Sequence, residues 1–136
     1  MSTKDRQGDP LERVVGRMQD ASWFILSVLD PVQSLPGIEI IRRVESIYTD
    51  AGYPQRRLDP STLHYGLKRM TDDGLVRRDG EREVDVPGPH NTMRRELRAV
   101  FVITGEGQRA LALRDRLEAA RRRAAFGMYL PIRGGI

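Results

Sequence analysis

The segment from Asp59 to Leu75, DPSTLHYGLKRMTDDGL, constrains the fold more than any other part of this 136-residue chain. Asp59 suits a helix N-cap, and Pro60 suits the first helical position because proline lacks only an N–H that has no partner there. Gly74 supplies the stop. Leu63, Leu67 and Met70, spaced by four and three, gather on one face of the predicted helix, while Ser61, Tyr65, Lys68 and Asp72 fall on the other. One side therefore needs covering by the rest of the chain. The other offers a hydroxyl, an aromatic ring and a cation to an external partner.

The flanking sequence supplies the cover. Asp9-Pro10-Leu11-Glu12 carries the signals of a helix start, with Asp9 as cap and Glu12 placed to reach back to it. The apolar stripe then continues through Val15, Met18 and Ile25 to Leu29, which predicts one long first helix ending at Asp30-Pro31. From Trp23 to Leu29 it is apolar nearly all round, which suits burial on more than one side, by its own domain or by a second copy. Ile38, Ile40, Ile41, Val44, Ile47 and Tyr48 mark a second helix that stops near Ala51-Gly52-Tyr53-Pro54. Beyond Leu75, Val76–Val86 and Leu97–Ile103 read as two antiparallel strands. The intervening Pro87-Gly88-Pro89 to Arg95 is expected to form a long, irregular tip, since prolines oppose regular pairing. Thr104 is the expected cap of a last helix, in which Ala110, Leu113, Leu117, Ala120 and Ala124 repeat at threes and fours. Phe126 to Ile136 reads as a helix-breaking tail. Two helices, the second exposed on one side, followed by a β-hairpin give the layout of a winged helix-turn-helix. The fold class is mainly α with a small β-hairpin wing. The expected organisation is a flexible tail over 1–9, the winged-helix domain over 10–104, a dimerisation helix over 105–125 and a tail over 126–136.

Composition narrows the chemistry. No apolar run approaches the ~18 residues of a membrane span, and Met1 to Pro10 lacks the apolar core of a secretion signal, so a cytoplasmic location is expected. With no cysteine there are no disulfides, thiolate nucleophiles or thiolate metal sites. Two distant histidines, His64 and His90, offer no metal-binding spacing, and no cofactor is expected. Gly105-Glu106-Gly107 opens a helix but lacks the rest of a phosphate-loop signature, no nucleophile elbow is present, and Ser61 with His64 has no oxyanion site, so the chain does not read as an enzyme. The net charge of +4 favours an anionic partner. All basic residues but Lys4 and Lys68 are arginine, which a GC-rich genome explains as readily as phosphate binding.

Double-stranded DNA is the partner these placements favour. The first turns of the exposed helix would lie in the major groove, with Ser61, Thr62, His64 and Tyr65 at base edges and Lys68 and Arg69 nearer phosphate. Arg56 and Arg57 precede the helix, and Arg94, Arg95 and Arg98 extend the cationic reach along the wing. Glu81, Glu83, Asp85 and Glu96 nearly cancel those wing arginines. The competing reading is a winged-helix protein-interaction module without specific DNA binding, using the long wing and the apolar tail residues Phe126, Met128, Tyr129, Leu130 and Ile132 as contact surfaces.

Four local matches make the chain resemble PadR-type transcriptional regulators over roughly Trp23 to Arg123. Phe24-Ile25-Leu26 resembles that family's first core helix, and Pro36-Gly37-Ile38-Glu39-Ile40 the start of its second. Leu58-Asp59-Pro60-Ser61-Thr62-Leu63, Leu67-Lys68-Arg69-Met70 and Gly74-Leu75-Val76 resemble its recognition helix, the most specific segment. Arg98 through Phe101, with Ile103, Thr104 and Gly107, resembles the second wing strand and the start of the dimer helix. The chain departs from the pattern at His64-Tyr65, where the family commonly has Tyr-Pro, and at Phe101, where tyrosine is frequent; these changes bear on base preference and leave the hydrophobic skeleton intact.

The resemblance implies a homodimeric repressor of the shorter type, with a single C-terminal helix. Its interface would combine Leu11, Val15 and Met18 of the first helix with Leu113, Leu117, Ala120 and Ala124 of the last. The operator would be a pseudo-palindrome with half-sites about one helical turn apart. Release by a small hydrophobic or aromatic effector is also implied, and Met18, Trp23 and Phe24 are the expected pocket residues at the dimer seam.

Overall fold

The computed structural model describes residues 10–30 and 32–134, with side chains placed as far as residue 126. Among these it holds five helices: α1 (Pro10–Arg17), α2 (Asp20–Val28), α3 (Gly37–Asp50), α4 (Pro60–Asp72) and α5 (Gly105–Gly134). The strands are β1 (Leu35–Pro36), β2 (Val76–Pro87) and β3 (Met93–Ile103), in one antiparallel sheet of order β1-β3-β2. The expected fold class, mainly α with a hairpin wing, is the one observed.

The expected single N-terminal helix is two. Met18 N–H closes on the Val15 carbonyl, Gln19 turns extended (φ −77°, ψ 158°), and its carbonyl then accepts from the Ser22 and Trp23 N–H groups to begin α2. Gly16, a poor helix residue, stands two positions before the break. The new direction lets α1 pack against α5 with Val15 buried. Asp9, the expected cap, lies outside the described residues; Pro10 opens the helix as expected.

Helix α2 is the hub. It touches α3, α4 and α5, and Trp23, Ile25, Leu26 and Val28 are all buried. Its nearly all-round apolarity is thus used up within one chain. Gly66 on α4 lets the two helices approach closely, since a Cβ there would sit 3.3 Å from Ile25 Cδ1.

Both α3 and α4 end in the same way. Gly52 and Gly74 adopt left-handed φ values of +95° and +77°, and the following Tyr53 and Leu75 N–H groups bond back to the Tyr48 and Met70 carbonyls at 2.8 Å. These are Schellman caps, which require a residue free of Cβ strain at the turning position. Leu75 leaves α4 buried and leads directly into β2.

The wing is longer and more regular than expected. Pairing runs from Val76↔Ile103 to Pro87↔Met93, so Arg94 and Arg95 lie in β3 and only 88–92 form the tip. Pro87 occupies the last paired position, where a missing N–H interrupts no further ladder. A single 3-10 turn at Pro89–Asn91 closes the tip, with Gly88 N–H on the Thr92 carbonyl at 2.7 Å. Near the root a bulge between Arg78 and Glu81 leaves Asp79 and Gly80 out of register. Asp79 uses that freedom: its carboxylate accepts the Ser34 hydroxyl just before β1 and the Arg77 guanidinium. Arg82 also donates to the Ser34 carbonyl, so the wing root is fastened to the loop ahead of α3. Strand β1, absent from the sequence expectation, pairs Leu35 and Pro36 with Phe101 and Val100.

Thr104 caps α5 as expected, its hydroxyl accepting the Gly107 N–H at 3.0 Å while donating to the Gly74 carbonyl at 2.6 Å. The helix does not stop near residue 125. It continues to Gly134, carrying Pro131 within it, so the segment expected to break the helix extends it. At ~1.5 Å per residue this 30-residue helix is about 45 Å long.

Candidate nucleic-acid interface

Helix α4 is held from behind and bare in front. Leu63, Leu67 and Met70 are buried, while Ser61, His64, Tyr65, Lys68, Arg69 and Asp72 are exposed and Thr62 is half-buried. Asp59 occupies the N-cap position with extended backbone, but its side chain makes no capping hydrogen bond; Pro60 and the backbone bond from Leu63 N–H to the Asp59 carbonyl start the helix without it. The loop before α4 is fixed by the Leu58 N–H, which donates to Glu45 Oε2 of α3 at 2.8 Å.

The exposed residues divide into two flanks. Toward α1, Tyr65 and Arg69 associate: Arg69 Nη1 donates to the Tyr65 hydroxyl at 3.3 Å, with the guanidinium 6.0 Å from the ring centre. Both border a small cavity of about 60 Å³ beside Met18 and Ser22. Toward the wing, His64 and Lys68 face a much larger cleft, about 790 Å³, whose far wall includes Arg94 and Arg98. Arg78 joins it from β2, a contributor the sequence reading passed over. Arg78 lies opposite Phe101 in the hairpin register, which is what brings it to the cleft. That register depends on the bulge, which the sequence pattern conceals.

The remaining cations are partly engaged by the protein itself. Arg56 stacks on the Tyr48 ring at 4.5 Å, and Arg57 donates to the Pro54 and Arg56 carbonyls at 2.7 and 3.1 Å. Arg95 sits between Glu83 and Asp85 on β2, at 3.9 and 3.6 Å, away from the cleft. Arg94 and Arg98 share Glu96. Such exposed pairs are each worth under about 1 kcal/mol, so an incoming phosphate can displace them. Lys68 has no carboxylate partner among the described residues. No group of three His, Asp or Glu side chains among the described residues is placed to hold a metal, and no described helix is long and apolar enough to cross a membrane.

The residues expected at a dimer seam fall into two sets. Val15 is buried in the chain's own core, with Leu11, Met18 and Leu113 packed partly against it. Leu117, at 51% exposure, and Ala120 and Ala124 lie uncovered along α5. The expected effector residues do not meet around one cavity: Met18 borders the small one, Trp23 lies under the Arg114 guanidinium at 4.6 Å, and Phe24 meets Tyr48 edge-on at 5.1 Å.

No protein-family model and no curated protein matches the sequence. Solved structures do match in fold. A transcriptional regulator from Clostridium thermocellum superposes with a TM-score of 0.55 at 18% identity, over 87% of this chain and 95% of its own. A PadR family transcription regulator from Clostridium difficile superposes with a TM-score of 0.52 at 18% identity, over 82% of this chain and 99% of its own. Each likeness spans more than four-fifths of this chain, and the chain accordingly has the winged-helix fold seen in PadR-family transcription regulators.

Proposed function

We propose that this chain is a sequence-specific, double-stranded DNA-binding transcriptional regulator that acts as a homodimer. The carrying observation is α4, braced by α2, α3 and β2 yet exposed along Ser61, His64, Tyr65, Lys68 and Arg69. A braced helix with hydroxyl, imidazole, phenol and ammonium groups on its free side suits the major groove, where base edges present donors, acceptors and the thymine methyl. Ser61, Thr62, His64 and Tyr65 read bases in this proposal, Lys68 and Arg69 meet phosphate, and Arg56, Arg57, Arg94, Arg95 and Arg98 exchange internal partners for the DNA backbone. The uncovered α5 stripe of Leu117, Ala120 and Ala124, with Leu113, pairs with a second copy. Repression follows by occlusion of the bound site.

Selection of duplexes from a random pool at ~150 mM salt tests this, because charge contacts alone weaken there. A two-fold symmetric motif is the expected result. Intact dimers that enrich no motif would favour a protein-docking module. One feature of the wing supports that second reading: Met93 and Leu97 are 63% and 64% exposed, and every wing arginine in β3 has a carboxylate beside it.

A further inference from the structure

The connection between α3 and α4 runs from Ala51 to Asp59, longer than the ~3–4 residues of a compact helix-turn-helix turn. A connection of that length does not by itself fix the angle at which the second helix is presented. Here the angle is set from α3. Glu45 and Tyr48, one helical turn apart, hold the second half of the connection: Leu58 N–H donates to Glu45 Oε2 at 2.8 Å, and the Arg56 guanidinium stacks on the Tyr48 ring at 4.5 Å. Tyr48 is buried and met edge-on by Phe24, so it offers a rigid surface. Leu58 is buried as well, and the chain is held at this point by packing together with the hydrogen bond. Glu45 is half-buried and makes no ion pair among the described residues. A carboxylate bonded to the backbone one residue past Arg57 weakens the attraction of that segment for phosphate. What it supplies is position.

We propose that Glu45 is a positioning residue for DNA reading: its carboxylate, on the Leu58 N–H, sets the entry of α4 and with it the aim of Ser61, Thr62, His64 and Tyr65 at base edges. The inference rests on the DNA reading proposed above. Leu58 stands three residues before Ser61, so a shift of the chain there moves the whole first turn of α4. Base-edge hydrogen bonds fail when a side chain is displaced by a fraction of an ångström or turned by ten or twenty degrees. Phosphate contacts made by long arginine and lysine side chains follow such a shift, and carry no sequence information in any case. Loss of Glu45 therefore has a distinct signature, which is lost discrimination between sequences with general affinity for DNA retained.

The test uses the full chain at a temperature where every variant is folded. Amide hydrogen exchange is followed without DNA, and affinities are measured for a selected operator and for a scrambled duplex of the same length and composition. Glu45→Ala should speed exchange at the Leu58 amide and lower the ratio of operator to scrambled affinity about tenfold, the scale of one lost charge-assisted hydrogen bond. Affinity for the scrambled duplex and its salt slope should stay nearly unchanged, since the phosphate contacts are kept. Glu45→Gln, whose amide oxygen can accept the same N–H, should restore both the slow exchange and the ratio. Glu39→Ala is the control for charge: it removes a carboxylate from the same helix, one engaged by Arg42 and Arg43, and should leave the ratio as it is. An equal fall in affinity for both duplexes, Glu45→Gln as poor a discriminator as Glu45→Ala, or unaltered Leu58 exchange in Glu45→Ala would overturn the proposal. If the wild type prefers no sequence, the DNA reading fails and this inference with it. If the wild type discriminates and Glu45→Ala does so equally well, this inference alone fails.

Discussion

Gly107 carries a steric demand that no other residue type meets. A Cβ at that position would lie 2.2 Å from the Leu75 carbonyl oxygen and 2.6 Å from Ile103 Cγ1, so α5 approaches the end of α4 backbone to backbone. Since a carbonyl oxygen cannot rotate away, Gly107→Ala should destabilise the fold by about 1–3 kcal/mol in chemical denaturation. Gly74→Ala makes a useful contrast: nothing lies within 4 Å, but φ is +77°, so the cost should be only about 1 kcal/mol of backbone strain. If the two variants unfold alike, the close approach at Gly107 is wrong. Asp79 carries a different kind of information. The Ser34 hydroxyl, and after it the Arg77 guanidinium, hold its carboxyl below the ordinary aspartate value. A lowered native pKa means that the folded protein favours the carboxylate. Its contribution is therefore present above the ordinary value and fades as pH falls through the lowered one. Carboxyl NMR titration should place the Asp79 midpoint below that of an unperturbed aspartate, and Ser34→Ala should move it up. A midpoint unmoved by that substitution would remove the Ser34–Asp79 contact and leave Arg82 on the Ser34 carbonyl as the tie between wing root and the loop ahead of α3.

Helix α4 and the wing are both cationic in sequence, yet their charges are not equally free. Lys68 has no carboxylate partner among the described residues, while Arg95 has Glu83 and Asp85 beside it. If a duplex lies against α4, Lys68→Ala should flatten the slope of log affinity against log salt by about one phosphate contact per protomer. Arg95→Ala should change it little, because that side chain must first leave two acids. Equal effects would mean that the wing's ion pairs open on DNA. The same two elements show what was legible beforehand. For α4, proline at the first turn, glycine at the end and a three–four repeat all agree, and the expected Leu63, Leu67 and Met70 are buried, joined by Gly66, whose place on that face the apolar repeat does not mark. The wing strands were underestimated because Pro87 and Pro89 read as a break in pairing, whereas Pro87 closes the ladder at its last rung and Pro89 sits in the turn. The bulge that frees Asp79 left no cue beyond Asp-Gly, and a two-residue strand such as β1 has no periodicity to detect. The break at Met18–Gln19 was hidden for the opposite reason: apolar residues keep their helical spacing across it, so the pattern reads as continuous.

At the scale of the whole molecule, the apolar surfaces of the helices must be assigned either to the chain's own core or to something outside it. Three neighbouring helices cover α2, so its all-round apolarity demands no second copy. Val15, too, is spent inside the protomer. What remains is α5, about 45 Å long by its rise per residue, packed near its start against α1, α2 and β3 and bare at Leu117, Ala120, Ala124 and Phe126. A stripe of that kind on a long helix is the geometry of a helix–helix seam. Because Leu117 is half exposed in the protomer, Leu117→Lys should leave the fold and its melting behaviour nearly unchanged while placing two like charges at the seam of a dimer. Light scattering at micromolar concentration should then show mass falling toward one chain. Affinity for a two-half-site duplex should fall with it, since the second half-site loses the high effective concentration that linkage to the first provides. Loss of mass with duplex affinity retained would mean that one protomer suffices to read DNA. An unchanged mass would place the seam off the Leu117 stripe, and Val32, Met93 and Leu97, also exposed and apolar, would become the next surfaces to charge.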